Sequence, residues 1–195
     1  EWLTDVNWNI LMNAPLAMDN STFQKLLSNS ETIKEQKGKK ALNFISERVY
    51  QNLGQKLYRA RSDEEKKAYQ ALKDDFAQSA YIAKDEVIFK LSMLEYQKNK
   101  SWDQWSETAI NGVPKFYWDD ASALNNVAWA AYENVEDKQI LTSALKWAKR
   151  ATELSEAHHI IDTYAHLLAA TGNKEAALEQ EMRALELAIA AGAAT

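Results

Sequence analysis

The side chains able to do chemistry are few, and the most suggestive crowd into one short stretch. The chain has three histidines, His158, His159 and His166, and no cysteine. His159, Asp162 and His166 stand at i, i+3 and i+7, so on a helix they share one face. Two imidazoles and a carboxylate are metal-ligand types, but one helix needs help from another to complete a coordination shell. The same spacing describes an Asp162–His166 pair that stabilises its own helix and stays solvated, and that is the reading adopted. No metal and no cofactor are therefore expected. Without cysteine there is no thiol nucleophile, no Cys-x-x-Cys redox pair and no disulfide. His-Glu-x-x-His, Gly-x-Ser-x-Gly, Gly-x-Gly-x-x-Gly and phosphate-loop patterns are also absent, so no catalytic residue is assigned.

Other conspicuous residues read as structural. Glu64-Glu65, Asp74-Asp75 and Asp119-Asp120 fit helix-start charges or a wet face. Trp102, Trp105, Trp129 and Trp147 fall at helix-packing spacing and are expected in the core. Phe116-Tyr117-Trp118 is expected in a linker, covering the ends of adjacent helices, with an exposed ligand platform as the lesser reading.

The elements that must position these groups are helical. Of 195 residues, 46% are hydrophobic and 26% charged, with only 5 Gly and 2 Pro. So little turn chemistry suits long helices and short connections better than hairpins. A formal net charge of −5 argues against nucleic acid, whose binding relies on cationic side chains neutralising phosphates. Lys37-Gly38-Lys39-Lys40 is too short to reverse that. No apolar run reaches the roughly 18 to 20 residues of a membrane span, so no membrane insertion is expected. The chain begins at Glu1, without a charged-then-apolar leader, which suggests a processed protein or an excised part of a longer one.

Periodicity and caps mark the helices in order. Leu3 to about Asn13 offers Leu3, Val6, Ile10 and Trp2 to a core and is expected to end at Pro15. Ser21 with Gln24 makes a capping box before Phe23, Leu26 and Leu27. Gly38 breaks the polar stretch Asn29 to Lys37. Leu42, Ile45, Val49, Leu53 and Leu57 then define a long amphipathic helix. Ser62 with Glu65 caps a helix carrying Ala68, Tyr69, Leu72 and Phe76. The next runs from Asp85 to about Lys98. Ser101 with Gln104 opens another, with Trp102, Trp105 and Ile110, which Asn111-Gly112-Val113-Pro114 is expected to stop.

The last third repeats itself. ALKWAKRATEL (144–154) matches ALEQEMRALEL (177–187) at an offset of 33, with six of eleven positions identical, among them Ala144/Ala177, Arg150/Arg183 and Ala151/Ala184. The preceding segments, AWAAYE (128–133) and TYAHLLA (163–169), align at an offset of 35. Two helices per 33 to 35 residues is the tetratricopeptide period, and small residues at the paired alanines let two helices approach closely. Gly172 supplies the turn of the second unit, with Asn173 as N-cap. The fold expected is all-α, with antiparallel helix pairs stacked as a tetratricopeptide-like right-handed superhelix. Residues 1–80 form a helical lead-in. Residues 82–195 form repeat units at about 86–120, 121–156 and 157–191, of which the first is degenerate because Trp105 stands where a small residue belongs.

Several stretches resemble a known family. NWNIL (7–11), then Ser21, Phe23, Leu27, Asn29 and Gly38, with LNNVAWAAYE (124–133) and DTYAHLLAATGNKEAAL (162–178), resemble the helical region that follows the thioredoxin domain in thioredoxin-like proteins typical of Bacteroidetes. The resemblance implies an exported, periplasmic protein with a thioredoxin domain upstream of Glu1. That domain would hold the redox cysteines, which this chain lacks.

The function expected is a protein-interaction or scaffolding module that binds a protein or peptide in a groove lined by Asn125, Asn126, Asn134, His159, Asp162 and His166. One alternative is a small-molecule or metal-dependent enzyme in a helical pocket, which needs acid and imidazole groups converging from at least two helices. Another is a spacer or dimerisation segment.

Overall fold

The computed structural model describes residues 3–13, 18 and 20–192, with the backbone alone for Val6. The expected places of Trp2 and Pro15, and of the Val6 side chain, lie outside the described residues. Among those described, the chain forms eleven helices and no strand. No helix among them is long and apolar enough to cross a membrane. Two compact units divide at Glu95/Tyr96, inside a continuous helix.

The N-terminal unit holds α1 (Asp5–Asn13), α2 (Ser21–Ser28), α3 (Ser30–Lys37), α4 (Lys39–Arg59), α5 (Asp63–Gln78) and most of α6 (Lys84–Asn99). Its core is organised on α4, where Leu42, Ile45, Val49, Leu53 and Leu57 are all buried as the spacing requires. Burying such a side chain contributes about 1.5–3 kcal/mol. Phe23, Leu26 and Leu27 of α2 and Tyr69 and Phe76 of α5 complete this core. Ile10, expected there, is instead 62% exposed. α1 packs through Trp8 and Leu11, joined by Leu3 just ahead of it.

Local signals explain where helices start, and where sequence reading errs. Ser62 and Glu65 form the expected capping box, with both reciprocal bonds in place. The backbone N–H groups of Ser62 and Arg61 both donate to the Glu65 carboxylate, and these bonds hold it below the usual glutamate range. The expected Ser21 box is displaced by one residue: Asn20 is the cap, accepting from Thr22 N at 2.8 Å, and Gln24 reaches the Met18 carbonyl instead. Asn and Ser are near-equal caps, so composition alone does not choose between neighbours. The polar stretch ahead of Gly38 is itself helical from Ser30 to Lys37. α3 forms there because Ile33 and Ser30 are fully buried, a tertiary gain that its polar sequence conceals.

The C-terminal unit holds α7 (Trp102–Phe116), α8 (Ala121–Asn134), α9 (Lys138–Leu154), α10 (His158–Ala170) and α11 (Lys174–Ala190). Ser101 precedes α7, but its side chain makes no capping bond. α7 does not stop at Asn111–Pro114: it runs to Phe116 with Pro114 inside it. Proline disfavours helical geometry at the residue before it, but Val113 is fully buried and holds the turn. Pro114 has no N–H to offer the Ile110 carbonyl one turn earlier.

α8 packs with α9 and α10 with α11 as adjacent pairs, and α10 also packs on α8 and α9. The short connections at 135–137 and 171–173 make each pair antiparallel. All four repeat alanines, Ala144, Ala151, Ala177 and Ala184, are buried. The repeated arginines share one kind of contact, and Arg150 adds a second to Glu153 on its own helix. Arg150 reaches back to Asp119 at 3.2 Å and to the Trp118 carbonyl, and Arg183 reaches back to Glu156 at 2.7 Å, each ahead of its own unit's first helix. Gly172 (φ +96°) closes α10 with paired bonds, Gly172 N to Ala169 O and Asn173 N to Leu168 O. Asn173 is the N-cap residue of α11, although its side chain makes no capping bond.

Candidate functional site

The chemistry-bearing residues gather where α8, α10 and α11 meet. On α10, Asp162 and His166 are one turn apart, with Asp162 Oδ1 3.7 Å from His166 Nδ1. α11 adds Glu181, whose Oε1 lies 3.4 Å from the same nitrogen. Ligand-type atoms of all three residues lie within 4.8 Å of one another. α8 supplies a wall: the rings of Trp129 and Tyr132 meet the imidazole edge-on at 5.5 and 5.3 Å, fixing its plane.

Charge is unbalanced here. Burial, the charge of Asp162 and a carboxyl–carboxyl hydrogen bond to Asp162 push the Glu181 carboxyl above its ordinary value, and the His166 ring pulls the other way. Two acids face one imidazole, so the cluster attracts a cation. His166 Nδ1 is also 3.0 Å from the Asp162 carbonyl, and a protonated Nδ1 donates to it.

Of the residues expected to line a groove, Asp162 and His166 enter this cluster. His159 lies outside it, exposed in the first turn of α10 with its ring edge-on to His158 at 5.6 Å. Asn126 is exposed, as is Asn134, which donates from Nδ2 to the Ala130 carbonyl. Asn125 is buried, and its Oδ1 has no hydrogen-bond partner.

Glu181 is the residue that sequence reading missed, although the repeat carries a signal for it. At an offset of 33 it aligns with Ala148; at an offset of 35, Asp162 and His166 align with Val127 and Ala131. Those three first-unit residues are all buried apolar side chains. The second unit thus replaces a packed apolar set with two acids and an imidazole.

A second feature lies at the end of α7. Ile110, Pro114, Trp118, Ser143, Lys146 and Trp147 line a largely apolar cleft of about 340 Å³. Trp118 is 40% exposed and held in place by Arg150 across its ring at 5.7 Å. Phe116, expected in a linker, instead closes α7. Among the tryptophans, Trp105 and Trp147 are core, as their spacing implies. Trp102 and Trp129, expected there too, are only half-buried.

Comparison with protein-family models, with curated proteins and with solved structures finds no match.

Proposed function

We propose that the C-terminal unit is a protein-interaction module that receives a Lys- or Arg-bearing peptide on the face shared by α8 and α10. The observation that carries this is that half-buried Trp129 and Tyr132 lie against His166, whose Nδ1 faces Asp162 and Glu181. Aromatic faces beside carboxylates suit a cationic side chain, which gains ring attraction and ion pairing together. Asn126 and Asn134 are exposed on α8, able to bond an extended backbone.

Selection of a displayed random-peptide library on the immobilised chain tests the reading. Enrichment of Lys- or Arg-containing peptides, lost on Asp162→Asn and Asn126→Arg, is the expected result. Peptides without basic residues, or binding that both variants keep, would sink it.

The rival reading, a metal-dependent enzyme, draws on the convergence of acid and imidazole groups from two helices. A reaction also needs a substrate site, and the residues lining the 340 Å³ cleft include neither a carboxylate nor an imidazole. Interaction is therefore the better-supported function.

On the residue resemblance alone, we further propose that this chain is the C-terminal helical portion of a larger periplasmic thioredoxin-like protein, acting to dock a partner or position its neighbouring domain. Reading the gene upstream of the Glu1 codon tests it: a Cys-x-x-Cys-bearing domain is expected, and an unrelated domain ends the idea.

A further inference from the structure

We infer that Asp162, His166 and Glu181 form a three-ligand site for a divalent transition metal, Zn2+ in the first place, with a water completing a tetrahedron.

Three observations support this. The first is distance. Zinc bonds of about 2.0–2.2 Å to nitrogen and oxygen place tetrahedral ligand atoms about 3.4 Å apart. His166 Nδ1 already stands 3.4 Å from Glu181 Oε1 and 3.7 Å from Asp162 Oδ1. The third pair, Asp162 with Glu181, lies within 4.8 Å, so side-chain rotation must bring it in to close on an ion. The second is donor chemistry: one imidazole with two carboxylates favours a borderline cation over Mg2+, which prefers an all-oxygen octahedron. Electrostatics agree, since two acids in hydrogen-bond contact repel unless a proton or a cation lies between them.

The third observation comes from the repeat. Packing in the first unit fills the equivalent positions with Val127, Ala131 and Ala148, all buried. A terminal repeat often carries polar residues simply to meet water. Solvation alone gives no reason for two helices to aim three ligand types at one point, nor for Trp129 and Tyr132 to hold the imidazole plane. The ring contacts do for His166 what an outer layer of supporting groups does in metal sites.

Without metal, Nδ1 carries a proton donated to the Asp162 carbonyl. Binding moves that proton through solvent to Nε2, so that the neutral ring presents its Nδ1 lone pair to the ion. The ion would occupy the carboxylates that the peptide reading gives to a cationic side chain, so the two ligands would compete, but a metal titration run without peptide tests the site by itself.

The experiment is calorimetric titration of the intact chain with ZnCl2 near neutral pH, repeated with MgCl2. One saturable Zn2+ equivalent is expected, with little response to Mg2+. His166→Gln and Glu181→Gln should each weaken binding at least about tenfold, with unchanged circular dichroism showing that both fold. A double variant, His158→Gln with His159→Gln, should bind as the parent does. Loaded with Co2+, the chain should show the intense visible absorption of a tetrahedral ion. Absence of saturable Zn2+ uptake, uptake surviving both ligand variants, loss in the His158/His159 variant, or equal response to Mg2+ would each overturn the site. Failure of peptide selection alone would leave it standing.

Discussion

The Tyr81 hydroxyl donates to the Leu42 carbonyl at 2.8 Å and accepts from Ser46 Oγ at 2.8 Å, with the ring fully buried. Tyr81→Phe leaves both α4 groups without this partner, which should cost about 1–3 kcal/mol in denaturant unfolding at neutral pH. Burial pushes the Tyr81 hydroxyl up to about 12 from an ordinary 10.0. A group whose folded-state value is raised stabilises fully below the unfolded value and loses that contribution as pH climbs to the folded one. Wild-type stability should therefore fall between pH 10 and 12, and the variant should fall less. Tyr69, raised by burial and by the Glu95 charge, and Tyr50, raised by burial, supply the part of the loss that remains. An alkaline slope unchanged in the variant would contradict this account. At this scale the sequence shows residue types and helical spacing, which is why Asp162 and His166 are visible together. It does not show which helix arrives opposite them, so Glu181 needs either the structure or the comparison of one repeat unit with the other.

Elements are legible where a cap and an apolar stripe agree, as at Ser62 with Glu65 and along α4. They are obscured where tertiary burial overrides local preference, as in α3, held by Ile33, and in the last turn of α7, held by Val113 against Pro114. α11 shows the reverse case. Its sequence is strongly helix-forming and repeats α9, but among its residues only Ala177 and Ala184 are buried. Leu178, Met182, Leu185 and Ile189, at i, i+4, i+7 and i+11, form a stripe with exposures of 54–63%. α9 buries Ile140, Trp147 and three alanines in the same space. Local opening free energy follows buried apolar contact. Backbone amides of α11 should therefore exchange at least about tenfold faster than those of α9 under native conditions. Hydrogen exchange read by mass spectrometry checks this, and equal protection would show that the exposed stripe does not set the stability of α11. Leu185→Glu should likewise change stability by less than about 0.5 kcal/mol, as an exposed substitution does.

Across the whole molecule, the division at Glu95/Tyr96 has a spectroscopic handle. Five of the seven tryptophans, Trp102, Trp105, Trp118, Trp129 and Trp147, belong to residues 96–195, and only Trp2 and Trp8 precede them. Intrinsic fluorescence thus reports mostly on the C-terminal unit, while far-ultraviolet circular dichroism reports on helices of both. Each unit has its own buried set: α4 with α2 and α5 in one, the paired alanines with Trp105 and Trp147 in the other. Helix pairs that rely on near neighbours in sequence need not unfold with a distant core, because their stability is a sum of local and nearest-neighbour terms. Denaturant titrations followed by the two signals should therefore give midpoints that do not coincide, breaking two-state behaviour. The continuity of α6 through the boundary works in the opposite direction, since a helix propagates cooperatively once formed. Tyr96→Gly should cost helix stability of about 1 kcal/mol and widen the gap between the midpoints. Coincident transitions in both proteins would mean that α6 couples the units strongly enough for the chain to unfold as one.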